Sequence, residues 1–163
     1  MISNTILFAL NDQIVAELGA SNQYLQMSIW FDSHNYQGFA KYLRKQSDDE
    51  RCHAIKFIDY ILDQSAHAII KEIEAPKNDW QSCEEIFSAI LELEKKVTSL
   101  ITNIYKIAAL EGDYATIIFL QWFVDEQVKS VRESSFNLGK ISAVGSDVAA
   151  LFEFDEYLGE KNE

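Results

Sequence analysis

The chain has 163 residues, 48% of them hydrophobic, with one proline, six glycines and a formal net charge of −12. That length gives a single domain, 1–163, a core of its own, and the scarcity of proline and glycine excludes a disordered or turn-rich β chain. The acidic balance excludes the basic face that nucleic-acid binding needs, and it favours cations at any concave surface.

Between residues 5 and 34, Leu7, Leu10, Ile14, Glu17, Ser21, Tyr24 and Ser28 recur at steps of three and four. This predicts one helical face, widened by Val15, Leu18, Leu25 and Ile29. Asn35-Tyr36-Gln37-Gly38 interrupts the pattern. A second helix then follows through Leu43, Ser47, Glu50, His53 or Ala54, Phe57 and Ile61, ending near Gln64. Residues 65–81 hold the only proline, Pro76, and show no periodicity, so they read as a long crossover.

Ser82-Cys83-Glu84-Glu85 has the form of a capping box, Ser82 accepting from a free backbone N–H and Glu85 reaching back. The third helix therefore starts there. Its seam runs Phe87, Ile90 or Leu91, Glu94, Val97, Ile101, Ile104 and Ala108, and closes at Glu111-Gly112. Asp113 is a good N-cap for a fourth helix carrying Leu120, Phe123, Gln127, Ser130 or Val131, Ser134 and Leu138 inward, and fading around Gly139. Ser146 is expected to cap a short last helix over 147–158, with Val148, Leu151, Phe152 and Leu158 as its apolar face and Gly159 as its stop. Helices of about 28 residues are about 42 Å long, which suits a bundle. Short first and last links with one long crossover predict an all-α, four-helix bundle of two antiparallel hairpins with a short fifth helix.

Cys52 and Cys83 form no Cys-x-x-Cys pair, which excludes a zinc ribbon and fits a reducing compartment. The first ten residues carry no basic run, and Asp12 arrives too soon for a secretory segment. No stretch of about 18 apolar residues exists, so no membrane span is predicted and a cytoplasmic protein is expected.

The most informative residues are polar ones on the inner stripes. Glu50 and His53 stand three apart on the second helix, about 60° apart in projection, so both can reach one metal ion. Glu-x-x-His recurs often by chance, and the pair alone carries little. Glu17 and Glu94 hold equivalent core-facing positions on two other helices, however, and apolar residues flank all four. A buried carboxylate without a counter-ion costs several kcal/mol or stays protonated, and no Lys or Arg shares these stripes. Bound metal answers that need. Oxygen donors with one nitrogen suit iron or manganese better than zinc. Tyr24, two turns on from Glu17, is alternatively a core aromatic; Gln127 alternatively satisfies buried groups; Trp122 reads as packing. His34 and His67 lie near helix ends and stay outside the site.

These residues resemble those of the ferritins, specifically the non-haem ferritins, over essentially the whole chain. The resemblance is carried by Glu17 with Tyr24, by Asp49-Glu50-Arg51-Cys52-His53, by Glu94, by Gln121-Trp122-Phe123-Val124-Asp125-Glu126-Gln127 and by Ala150-Leu151-Phe152-Glu153-Phe154-Asp155. It implies that Glu17, Glu50 and His53 hold one iron, that Glu50 and Glu94 hold a second, and that Glu50 bridges them. It places Gln127 beside the second iron as a weak ligand or a partner of the ligands. Tyr24 is implied to hydrogen-bond near the site and to supply an electron during oxygen chemistry.

The chain also departs from family patterns. Where many bacterial ferritins carry the acids of a third iron site, this sequence has Lys129 and Ser130, closer to the heavy-chain-type form, so no third site is expected. Arg51 and Ser130 replace residues that haem-binding relatives use, so no haem is expected. Acids proposed to nucleate mineral fall on Asp49, Cys52 and Ile55, of which one is acidic. The acidic pair of animal three-fold channels falls on the apolar Ile117 and Leu120, so iron is expected to enter by another route, with a pore through the bundle as the expectation. Glu126, Asp59 and Asp63 are candidates for transit, though each fits a solvated helix face. Cys52 lies about 160° around its helix from Glu50 and is not expected to join the ligands.

The implied function is iron storage with ferroxidase activity. Two Fe(II) per subunit are oxidised by O2 or H2O2, and the product is stored as ferric oxyhydroxide within a homo-oligomeric shell of 24 subunits. A non-catalytic shell subunit that buffers iron or co-assembles is the alternative. A rubrerythrin-like diiron peroxidase is a further one, disfavoured by the missing second Glu-x-x-His and the missing C-terminal Cys-x-x-Cys pairs.

Overall fold

Helices start where something accepts from their first free N–H groups. Ser3 accepts from Ile6 N at 3.2 Å and opens α1 (Asn4–Ser33). Ser82 accepts from Glu85 N at 3.1 Å and opens α3 (Cys83–Glu111), while the Glu85 carboxylate reaches back to Gln81 N at 2.7 Å, one residue further than the capping box predicts. Asp113 accepts from Thr116 N at 3.0 Å and opens α4 (Tyr114–Val144). The last helix, α5 (Val148–Lys161), is capped by Asp147, which accepts from Ala150 N at 3.1 Å, in place of the expected Ser146.

The exception is α2 (Gln37–Asp63), whose N-cap residue Tyr36 offers no side-chain acceptor. Its cap comes from the far end of the chain. Asp155 of α5 accepts from Phe39 N at 2.7 Å and from Gly38 N at 3.2 Å. The approach is so close that a Cβ at Gly38 would lie 1.8 Å from the Asp155 carbonyl oxygen. Gly38 therefore belongs to the first turn of α2 and is no helix breaker.

The computed structural model describes residues 1–161 and has no strand among them. α1 pairs with α2 and α3 with α4, the pairs meet chiefly through α1 and α3, and α5 lies mainly on α2. This is the predicted four-helix bundle with a short fifth helix. The crossover between α2 and α3 is extended and pinned at both ends of its path. Asn11 accepts from Ile69 N at 2.7 Å, Gln23 exchanges two bonds with the Lys77 backbone at 2.9 and 3.0 Å, and Trp80 is buried.

Several expected boundaries and faces shift. α4 continues through Gly139 to Val144, and α5 through Gly159 to Lys161, because packing outweighs the modest helix penalty of glycine. Leu25, Ile29, Val148 and Phe152 point outward, and the inner face of α5 is Phe154, Asp155 and Leu158. Leu120 is fully buried in the core, and Ile117 is half-buried.

The core has two apolar halves. One gathers Phe31, Phe39, Leu43, Phe87, Ile90 and Phe154; the other gathers Leu10, Ile14, Phe57, Ile101, Leu120 and Phe123. Between them every helix of the bundle contributes buried polar residues: Glu17 and Ser21 from α1, Ser47 and Glu50 from α2, Glu94 from α3 and Gln127 from α4.

Candidate metal centre

The register of α1 against α2 is locked just beside the acids. Ser21 Oγ donates to the Ser47 carbonyl at 2.7 Å, and Ser47 Oγ donates to the Ser21 carbonyl at 2.8 Å. Ser21 is four residues after Glu17 and Ser47 three before Glu50, so this reciprocal pair brings the two glutamates level. Small side chains there allow the backbones to approach closely enough.

Glu17, Glu50 and His53 present one donor atom each within 4.8 Å of one another. His53 Nδ1 is 3.1 Å from Glu50 Oε2 and 3.7 Å from Glu17 Oε2. Only the first is a hydrogen-bonding distance. Glu17 is 0% exposed, and its Oε2 has no hydrogen-bond partner among the described residues. Its other oxygen accepts from Gln13 Nε2 at 2.8 Å. A fully buried carboxylate oxygen left open toward a second carboxylate and an imidazole is suited to a cation, since it has no hydrogen-bond donor to offset its desolvation and only the nearby His53 ring to balance its charge.

Glu94 is buried next to this group but not within it. The Tyr24 hydroxyl donates a short hydrogen bond to Glu94 Oε1, and Gln127 Nε2 lies 3.1 Å from Glu94 Oε2. The same Gln127 nitrogen also donates to the Glu94 carbonyl at 3.2 Å and to Thr98 Oγ1 at 3.0 Å. Thr98 itself donates to the Glu94 carbonyl at 2.8 Å. The structure thus brings together all six residues singled out in the sequence, but with different contacts. Glu17, Glu50 and His53 face one point, while Tyr24 and Gln127 hold Glu94 as neutral donors.

Burial dominates the protonation of the group. It pushes the Glu50 carboxyl up to about 8, a rise that Glu17 reinforces and the His53 hydrogen bond opposes. Glu94 is likewise raised by burial, against the lowering bonds from Tyr24 and Gln127. At His53 burial acts downward, and the close approach of the Glu17 and Glu50 carboxylates overcomes it, holding the imidazole up to about 10. Tyr24 is held well above the ordinary phenol range by burial and by the charges of Glu94 and Glu50. A divalent ion would reverse these balances, because it binds the deprotonated carboxylates and the neutral ring.

The site opens between α2 and α4 into a cavity of about 480 Å³ that Glu50, His53, Trp122 and Ser130 help to line. Trp122 sets its ring edge-on to His53 at 5.4 Å between centroids, and Lys56 Nζ sits 3.2 Å over the Trp122 ring. Three acids at the cavity are each paired: Asp49 with Lys45 at 3.0 Å, Glu126 with Lys129 at 2.7 Å and Glu133 with Lys161 at 3.4 Å. Cys52 lines the same cavity and is exposed, so it stands near the opening and outside the donor group.

The Ferritin family model, described as a ferritin-like domain, matches residues 7–144. Among curated relatives, a bacterial non-heme ferritin of Staphylococcus aureus (strain USA300) is 38% identical, the match covering 98% of this chain and 96% of that one. A bacterial non-heme ferritin of Staphylococcus haemolyticus is 37% identical, with 99% and 98% covered. The chain belongs to the ferritin family.

Among solved structures, an open-pore ferritin from the archaeon Archaeoglobus fulgidus superposes on this family member with a TM-score of 0.96 at 34% identity, covering 98% of both chains. A closed form of that ferritin, engineered by site-directed mutagenesis, gives 0.95 at the same identity, covering 98% of this chain and 97% of that one. The fold and the family of iron-storage proteins are therefore shared over nearly the whole length. For this ferritin-family chain, sequence reasoning missed Gln13 and Thr98, and took Trp122 for packing. Gln13 is one helical turn before Glu17 and Thr98 one turn after Glu94, so the signal was an i, i+4 polar neighbour on an acid-bearing stripe.

Proposed function

We propose that this chain is a ferroxidase subunit of an iron-storage shell. Fe(II) is its substrate. Glu17, Glu50 and His53 hold one ion, Glu50 and Glu94 hold a second, and Glu50 bridges. Two Fe(II) each lose one electron; O2 takes both with two protons to give H2O2, or H2O2 takes both with two protons to give two waters. Proximity turns two single-electron donors into one two-electron reductant, and the carboxylates stabilise Fe(III) more than Fe(II). Residues 1–163 act as one ferritin-like unit, 24 copies form a hollow cytoplasmic shell, and ferric oxyhydroxide collects inside.

The observation that carries this reading is Glu17 Oε2, fully buried, without a donor and facing Glu50 and His53. No Lys or Arg belongs to the donor group, so in the metal-free protein the His53 imidazolium is the cation that faces its carboxylates, and a divalent metal would take its place. Gln127 supports the second ion through Glu94, and Tyr24 lies where a phenol can give an electron to the oxidised site. The test is anaerobic loading with Fe(II) followed by oxygen, recording iron per chain, oxygen consumed and the transient absorbance, on wild type and Glu94→Ala. Wild type should consume about one O2 per two Fe(II), and the variant should oxidise iron far more slowly. Equal rates would sink the assignment.

A further inference from the structure

We infer that Gln13 is a positioning residue for the first metal subsite, fixing which oxygen of Glu17 is presented to His53 and Glu50. The inference rests on reading that pocket as a metal site.

Gln13 lies on the buried stripe of α1 with Ile6, Leu10 and Ile14, all fully buried, and is itself 1% exposed. An amide in such a place costs free energy unless both its polar atoms are bonded. Here only one is. Gln13 Nε2 donates to Glu17 Oε1 at 2.8 Å, and Gln13 Oε1 has no hydrogen-bond partner among the described residues. Among the described residues the side chain ties no other helix and caps no backbone group, so its one polar contact there is the carboxylate it holds.

That contact has a directional consequence. With Oε1 occupied by an N–H, Oε2 is the oxygen left facing His53 Nδ1 at 3.7 Å. A neutral donor suits this task better than a cation. A lysine at the same place would neutralise Glu17 and compete with the metal, whereas an amide orients the carboxylate and leaves its charge available. Glu94 is also held by neutral donors, though on both oxygens, Tyr24 on Oε1 and Gln127 on Oε2. The bundle therefore holds both terminal carboxylates by neutral hydrogen-bond donors set behind them.

Co(II), whose visible absorption reports its ligand set, is the probe. The full-length protein as wild type, Gln13→Met and Glu17→Ala is titrated with Co(II), and circular dichroism of the metal-free proteins checks the fold. Met matches glutamine in length and offers no donor. Gln13→Met is expected to keep helical content, to bind the Co(II) of the first subsite about 10- to 100-fold more weakly, and to shift its visible bands, with the second subsite unchanged. Should Gln13→Met fail to fold, Gln13→Asn carries the test, since it keeps the amide but is too short to reach Glu17. Wild-type bands and affinity in whichever variant folds would overturn the role of Gln13. If wild type and Glu17→Ala bind Co(II) alike, the metal pocket itself is refuted, and the inference with it.

Discussion

Tyr24 on α1 donates its hydroxyl proton to Glu94 on α3, across the middle of the bundle and 70 residues along the chain. The bond joins the two helix pairs at their polar layer and lowers the cost of keeping Glu94 charged there. Tyr24→Phe removes the donor while preserving the packing. Glu94 should then be raised further in pKa by its burial, and Fe(II) oxidation should slow about tenfold, with wild-type thermal stability within about 1 kcal/mol. Stopped-flow absorbance at saturating Fe(II) measures it; an unchanged rate would show that Glu94 needs no help from the phenol.

Trp122 offers an optical report on the site. Its ring is edge-on to His53, whereas Trp80 packs in the other apolar half and Trp30 stacks on His34 at 3.8 Å. Binding of paramagnetic Co(II) or Fe(II) beside His53 should therefore quench mainly one of the three tryptophans. In Trp122→Phe most of the quenching should vanish while metal stoichiometry stays the same. Undiminished quenching in that variant would place the metal elsewhere.

The pH dependence of the metal-free protein follows from Glu50 and His53. Both pKa values lie above the ordinary ones, about 8 against 4.5 and about 10 against 6.5. A group raised on folding contributes its full stability below the unfolded pKa and loses it as pH rises through the folded pKa. The metal-free melting temperature should therefore fall as pH is raised from about 7 to 10, as buried negative charge develops in the site. A divalent metal should cancel the fall, and its binding near pH 7 should release protons, seen as a buffer-dependent heat in calorimetry. A melting temperature that rises over this range would contradict the burial argument.

The clasp between α5 and α2 sets a stability prediction away from the metal site. Asp155→Ala deletes the side-chain acceptor that caps α2 and should cost about 1–3 kcal/mol. Gly38→Ala should cost as much or more, because its Cβ would meet the Asp155 backbone and force α5 outward. Denaturant unfolding followed by far-ultraviolet circular dichroism tests both. Asp155→Ala without loss would mean that the α2 N-terminus is satisfied in another way.

Sequence periodicity by itself determined the helices, the crossover and the central inward stripe of the four bundle helices, though not the inner face of α5, because a period of 3.6 that mixes acids with aliphatic residues has few solutions other than an amphipathic bundle helix. It also singled out Glu17, Glu50, His53 and Glu94, since a charge on an apolar stripe is visible without coordinates, while Tyr24 and Gln127 joined them through the resemblance to the ferritins. The contacts among them came only from the tertiary structure. Which three donors face one point, and that Tyr24 and Gln127 serve Glu94, depends on the Ser21–Ser47 register and on side-chain torsions that no linear spacing encodes. Gln13 was hidden because a glutamine beside a buried acid is distinguishable from a surface one only once its burial is known. Asp155 was hidden for a related reason. An acid on a short C-terminal helix reads as solvent-facing until the N-terminus of α2, whose first-turn N–H groups at Gly38 and Phe39 lack a partner within the helix, is brought against it.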